Sequence, residues 1–141
     1  MTKSSASASR VRDLMSGAPK ALGRNDQLSL ADDVMRAERI RHLPVLEADG
    51  TLCGILSQRD MFRGALAQAL GYGTAAQQKM LTMLRVKEVM TTEVVTTRPD
   101  TALVDAARTM LERKIGCLPV MEGGRLVGIL TESDFVALVA R

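Results

Sequence analysis

The chain has no tryptophan, one tyrosine and two phenylalanines in 141 residues. A single-stranded nucleic-acid surface that stacks bases on aromatic rings therefore has almost no platforms to use. One histidine and two cysteines cannot supply the four Cys/His ligands of an ordinary structural zinc site. Cys53 and Cys117 each sit inside an apolar, strand-like run and read as buried, reduced thiols of a cytoplasmic protein. No apolar run approaches the roughly 18 residues of a membrane span. Residues 1–10 are Ser/Ala-rich without an acidic group. They lack the apolar stretch of a secretory signal and are expected to form a flexible tail. The net charge of +3 is mild, and basic residues are scattered among acids except around Arg36, Arg39 and Arg41. Nucleic-acid binding wants a more concentrated basic stripe. No acid–base pair, metal set or activated nucleophile stands out, so an enzyme is not expected.

What the chain does have is a long internal repeat. Leu43-Pro44-Val45 returns as Leu118-Pro119-Val120, an offset of 75 (43 to 118), and Gly54-Ile55-Leu56 returns as Gly128-Ile129-Leu130, an offset of 74 (54 to 128). Val11-Arg12-Asp13-Leu14-Met15 faces Val86-Lys87-Glu88-Val89-Met90 at the first of these offsets. Self-similarity at long period decides the architecture before any local reading does. A lone unit of about 60 residues buries a modest share of its surface and is often marginal, so two fused copies are expected to share a core. With 46% hydrophobic residues and few aromatics, that core must rest on Leu, Val, Ile, Ala and Met.

Each copy predicts the order strand, helix, strand, strand, helix. Asp26 is placed to cap a helix with apolar positions Leu28, Ala31, Val34 and Met35; Thr101 and the stripe Leu103, Ala106, Ala107 and Met110 repeat it. Two short apolar runs follow, His42–Leu46 and Thr51–Leu56 in one copy, Cys117–Met121 and Arg125–Leu130 in the other. The intervening Asp49-Gly50 and Gly123-Gly124 are hairpin signals, because both supply positive φ cheaply. The lost residue falls in this turn, where a change of length costs little. The closing helices are expected to start near Gln58 and Glu132. Between the copies, Gly71-Tyr72-Gly73-Thr74 breaks the first closing helix, and Ala76, Met80, Met83 and Leu84 suggest a short linker helix. The expected division is a tail over 1–10, one unit over 11–70, a linker helix over 71–85 and a second unit over 86–141.

Leu-Pro-Val, a hairpin, Gly-Ile-Leu, then Ser/Thr-x-x-Asp opening a helix, all in duplicate, resembles the cystathionine-β-synthase (CBS) domain family. The tandem arrangement resembles its paired, or Bateman, module over about 11–139. The resemblance implies an α/β (α+β) fold of two β-α-β-β-α units packed sheet to sheet about a pseudo-twofold axis. It also implies clefts that in many members bind AMP, ADP or ATP, in some S-adenosylmethionine, and in others nothing known.

Ser57-Gln58-Arg59-Asp60 and Thr131-Glu132-Ser133-Asp134 are the candidate ligand residues. A helix N-terminus offers unpaired N–H groups and partial positive charge to phosphate. By resemblance, Ser57 and Thr131 would take a phosphate, and Asp60 and Asp134 the hydroxyls of a ribose. Ser/Thr-x-x-Asp is equally a relative of the capping box, which needs no ligand. Arg59 adds a guanidinium to the first copy, whereas Ser133 replaces it and Glu132 adds a carboxylate in the second. Phosphate is therefore expected to prefer the first. Arg41, His42, Pro44, Val95, Thr97, Gly116, Cys117 and Pro119 are candidate cleft-lining positions. His42 and the two prolines also have structural readings, since proline at a strand edge needs no functional reason. Val94-Val95-Thr96-Thr97 fits the Val/Thr-rich first strand that holds the base in this family, and Pro19-Lys20-Ala21-Leu22 departs from it. Gly54 and Gly128 inside strands indicate a close approach, by protein or by ligand. The expected function is a stand-alone regulatory, homodimeric module sensing an adenosyl ligand on behalf of an unidentified protein. The alternatives are a ligand-free dimerisation scaffold, using the helices that start near Ser29 and Gln58, and a nucleic-acid accessory using the Arg36/Arg39/Arg41 cluster.

Overall fold

The computed structural model describes residues 9–68 and 74–141; the side chains of 66–68, 74 and 77 are outside the description. The expected tail, up to residue 8, and the Gly71-Tyr72-Gly73 break lie outside the described residues. The elements are α1 (Val11–Leu14), β1 (Ser16–Gly17), β2 (Leu22–Gly23), α2 (Leu28–Glu38), β3 (His42–Leu46), β4 (Leu52–Ser57), α3 (Gln58–Gln68), α4 (Thr74–Met83), a 3-10 turn (Val86–Glu88), α5 (Leu103–Arg113), β5 (Cys117–Glu122), β6 (Arg125–Thr131) and α6 (Glu132–Ala140). None of the described helices is long and apolar enough to cross a membrane.

The chain folds into two compact units, and their borders differ from those of the repeat. One is continuous, Lys20–Val94; the other joins the chain up to Pro19 with Val95–Arg141. The segment that opens the first repeat thus packs in the unit of the second, and the segment that opens the second packs in the unit of the first. The backbone crosses between units at Pro19/Lys20 and again at Val94/Val95, which are equivalent positions of the repeat.

In the continuous unit the sheet order is β2-β3-β4. β2 runs parallel to β3 with Leu22 opposite Val45, and β3 runs antiparallel to β4 with His42 opposite Ser57. Gly50 takes φ +89 in the β3–β4 turn, and its N–H donates to Glu47 O. Thr91 closes the other edge by exchanging backbone hydrogen bonds with Ile55 at 2.9 and 3.0 Å. The core is Leu28, Ala31, Met35, Leu43, Val45, Leu56 and Met61, with Leu81 of α4 and Val86. In the discontinuous unit the order is β1-β6-β5, with Ser16 opposite Ile129 and Cys117 opposite Thr131. Gly123 and Gly124 supply the positive φ of its hairpin turn. Its core is Val11, Leu14, Leu103, Ala106, Met110, Leu118, Val120 and Leu130.

The strand glycines are explained by the exchanged segments. A Cβ on Gly128 would lie 2.6 Å from Met15 Sδ and 2.9 Å from Ser16 O; on Gly54 it would lie 2.6 Å from Met90 Sδ and 3.0 Å from Thr91 O. The close approach inferred for these positions is therefore made by protein.

Two local expectations are corrected. Asp26 does not cap α2: its Oδ2 accepts the Gly23 N–H at 2.7 Å, and the helix begins after Gln27 with no side-chain cap. Thr101 likewise leaves the N-cap of α5 to Ala102. Val94–Thr97 is not a continuous strand. The Val94 N–H turns back to Thr92 O, so only Thr97 joins the sheet, donating to Pro119 O and accepting from Met121. Its counterpart in the first copy, Leu22–Gly23, forms the longer pairing despite the poorer strand sequence. The equivalent helices α2 and α5 end in left-handed, non-glycine C-caps, Arg39 and Lys114 at φ +56.

Candidate functional site

In the continuous unit the start of β3, the end of β4 and the start of α3 bring Arg41, His42, Ser57, Arg59 and Asp60 together. The register sets Ser57 opposite His42, and the Gln58 N–H donates to Arg41 O at 2.8 Å. Ser57 leaves the strand and its Oγ accepts the Asp60 N–H at 3.0 Å, satisfying one of the unpaired donors of α3. That bond uses a lone pair, so the serine proton is still available to a second acceptor. Among the described residues the Asp60 carboxylate has no hydrogen-bond or ion-pair partner. Arg59 is exposed and Asp60 half-buried.

The equivalent junction in the other unit holds Gly116, Cys117, Thr131, Glu132 and Asp134, and its hydrogen bonding differs. The Glu132 N–H donates to Gly116 O at 3.1 Å, as in the first copy. Here the carboxylate is engaged: Asp134 Oδ2 accepts the Thr131 N–H at 2.9 Å and the Thr131 hydroxyl at 3.3 Å. Threonine and aspartate satisfy each other in the manner of a capping box. Burial pushes the Cys117 thiol up to about 12, with the Asp134 charge acting in the same direction. This cysteine stays protonated and is a poor nucleophile at neutral pH.

The electrostatics follow the same split. The first junction carries Arg41 and Arg59 along with Asp60, whereas Glu132 and Asp134 stand without a basic neighbour in sequence in the second. A phosphate meets opposite charge in one and like charge in the other.

Of the remaining cleft candidates, Pro44 and Pro119 are buried in their strands, opposite Ile55 and Ile129. Thr97 is buried beside Pro119, and Val95 packs on the core of its unit. The Arg36/Arg39/Arg41 cluster is less free than its sequence suggests, because Arg36 Nε pairs with Asp32 Oδ1 at 3.0 Å. No group of His, Cys, Asp and Glu among the described residues is arranged to hold a metal ion. Sequence reasoning distinguished the two Ser/Thr-x-x-Asp motifs by Arg59 against Ser133 and Glu132; the difference in hydrogen bonding of the two carboxylates carried no sequence signal beyond Ser against Thr.

Comparison with known proteins agrees with the repeat. A family model described as CBS domain matches residues 11–66 and again 86–141. A CBS domain-containing protein of Dictyostelium discoideum is 30% identical over 132 residues, spanning 93% of this chain and 91% of its own. The solved CBS domain pair of MJ0100, in complex with 5′-methylthioadenosine and S-adenosyl-L-methionine, is similar with a TM-score of 0.76 and 28% identity, over 94% of this chain and 96% of that one. CBSX2 in complex with AMP is similar with a TM-score of 0.75 and 27% identity, over 94% and 97%.

Proposed function

The chain belongs to the CBS domain family as a tandem pair, and from that premise we propose that it is a regulatory module that binds an adenosyl ligand and performs no chemistry on it. The first-copy junction is the phosphate-binding end. The observation that carries this reading is the combination, in a junction that also carries Arg59 and Arg41, of a serine and a carboxylate whose hydroxyl proton and oxygens have no partner among the described residues. Ser57 and the α3 N-terminus meet the phosphate, and Asp60 accepts the ribose hydroxyls. Solved relatives with AMP, or with 5′-methylthioadenosine and S-adenosylmethionine, support this ligand class. Ligand acts by favouring one arrangement of the module over another, which requires different affinity for the two. A homodimeric, cytoplasmic module signalling to a separate regulated protein completes the reading.

Calorimetry and thermal shift against AMP, ADP, ATP, S-adenosylmethionine and NAD test it. A ligand at 100 times its Kd stabilises the fold by about 2.7 kcal/mol. Saturable binding lost in Asp60→Ala, with the fold intact, is the expected result. Silence from the whole panel would leave the second reading, a ligand-free scaffold. One observation favours that alternative: Thr131 and Asp134 already satisfy each other without a ligand. Nucleic-acid binding has no comparable support, since Arg36 is paired within its own helix.

A further inference from the structure

The exchanged opening segments carry the same device twice. Met15 lies on Gly128 and Met90 on Gly54, each side chain filling the place that the strand glycine leaves open; a Cβ there would stand 2.6 Å from either Sδ. The two methionines are equivalent in the repeat, and each sits in the unit of the other copy. Each is half-buried. Met15 packs on the cluster that holds Val11, Leu118 and Leu130, and Met90 on the one that holds Leu43, Leu56 and Val86. Directly after each methionine the segment joins a sheet, Ser16 opposite Ile129 and Thr91 opposite Ile55. Other methionines stand apart from this arrangement. Met35 and Met61 are sealed in the core at 1% and 0% exposure, and Met83 is 58% exposed on α4.

We propose that Met15 and Met90 are paired oxidation sites, and that conversion of their thioethers to sulfoxides by a peroxide loosens the opening segments from β6 and β4. A sulfur lone pair attacks one peroxide oxygen, an S–O bond forms as the O–O bond breaks, and the second oxygen leaves as water with both protons. Sulfur is oxidised and the peroxide reduced by the same electron pair. Half-burial lets a small oxidant reach these side chains, whereas the sealed Met35 and Met61 are sheltered. The consequence follows from the seat of each sulfur. A thioether needs no polar partner, but a sulfoxide oxygen is a strong acceptor, and here it is set against an apolar cluster. The backbone oxygens that share the glycine contact, Ser16 O and Thr91 O, are acceptors themselves and cannot donate to it. The glycine side offers no slack, since even a methyl group does not fit between strand and sulfur. Oxidation therefore disturbs the point at which each segment enters its sheet, and it does so in both units.

The test is graded hydrogen peroxide on the full chain in a Cys53→Ser background, with peptide mass mapping of each methionine and hydrogen exchange of named amides. Val11 and Arg12, which donate to Thr101 O and Pro99 O, report on the first segment; Ile55 and Thr91, bonded to each other, report on the second. Met15, Met90 and the exposed Met83 are expected to gain oxygen well before Met35 and Met61. Protection at the four reporter amides should then fall by at least about tenfold, and the urea midpoint should drop. Met15→Leu, which keeps the volume and cannot be oxidised, should preserve Val11 and Arg12 alone, and Met90→Leu should preserve Ile55 and Thr91 alone. Should a leucine variant fail to fold, methionine sulfoxide reductases acting on the oxidised protein supply the second measurement, and they are expected to restore protection. Met15 and Met90 unmodified when Met83 is fully converted would overturn the proposal. So would full conversion of both with protection unchanged, or an equal loss in the double leucine variant. These readouts require no bound nucleotide, so failure here is distinct from failure of the adenosyl reading.

Discussion

Asp60 and Asp134 occupy equivalent positions, yet the structure predicts opposite consequences for their removal. Asp134→Ala deletes the acceptor of the Thr131 N–H at 2.9 Å and of its hydroxyl at 3.3 Å. Loss of a capping partner costs about 0.5–2 kcal/mol, and with two donors released we expect about 1.5 kcal/mol. Asp60→Ala deletes no hydrogen bond of the carboxylate to any described residue. It removes only a negative charge near the start of α3, worth about 0.3–0.5 kcal/mol at an exposed helix end. Urea unfolding at constant m should therefore separate the variants by about 1 kcal/mol, with Asp134→Ala the less stable. Asp134→Asn keeps an acceptor and should recover part of the loss. Calorimetry with AMP should rank them the other way, with Asp60→Ala losing binding and Asp134→Ala retaining it. Equal destabilisation by both changes, with AMP affinity intact in Asp60→Ala, would refute the reasoning, because Asp60 would then be a cap like its twin.

Other perturbations follow from the same structure. Gly128→Ala pushes a methyl group against Met15 Sδ and Ser16 O, and overpacking of this kind costs about 1–3 kcal/mol. Adding Met15→Ala should restore only part of it, since the carbonyl contact persists, while Gly17→Ala, which meets nothing within 4 Å, should be near neutral in the same melts. Lys114→Gly relieves a left-handed residue at φ +56 and should stabilise by about 0.5–1 kcal/mol, read as a higher urea midpoint. The Cys117 thiol, pushed up to about 12, stays neutral in the folded state while the unfolded chain ionises near pH 9. Stability from this group is complete below pH 9 and is lost as pH rises toward 12; Cys117→Ala should flatten that decline in pH-dependent melts.

The repeat made much of this architecture readable in advance. Recurrence of Leu-Pro-Val and Gly-Ile-Leu at offsets differing by one residue placed both hairpins, Gly50 and Gly123-Gly124 placed their turns, and the helices begin at Gln58 and Glu132 as expected. The misreadings came from competition between neighbours. Asp26 is a good capping residue, but the Gly23 N–H reaches its carboxylate first. Val94-Val95-Thr96 has strand composition, but a turn bond from Val94 to Thr92 withdraws it from the sheet. Crossing of the opening segments had no sequence signal, because periodicity reports which residues are alike and not which copy they pack on. Pairing of Asp134 with Thr131, where the Asp60 carboxylate has no partner among the described residues, depends on side-chain orientation that motif spacing does not encode.

The exchanged opening segments set an order of events during synthesis. Residues 20–94 contain their whole unit and are complete once Thr91 meets Ile55. The other unit cannot close until β6 exists, because Ser16 pairs with Ile129 and Val11 donates to Thr101 O. A segment made early must wait for a strand made more than a hundred residues later, and such distant pairings form slowly. Any cleavage or ligand that frees residues 10–17 from β6 would strip an edge from a finished sheet and leave the continuous half whole.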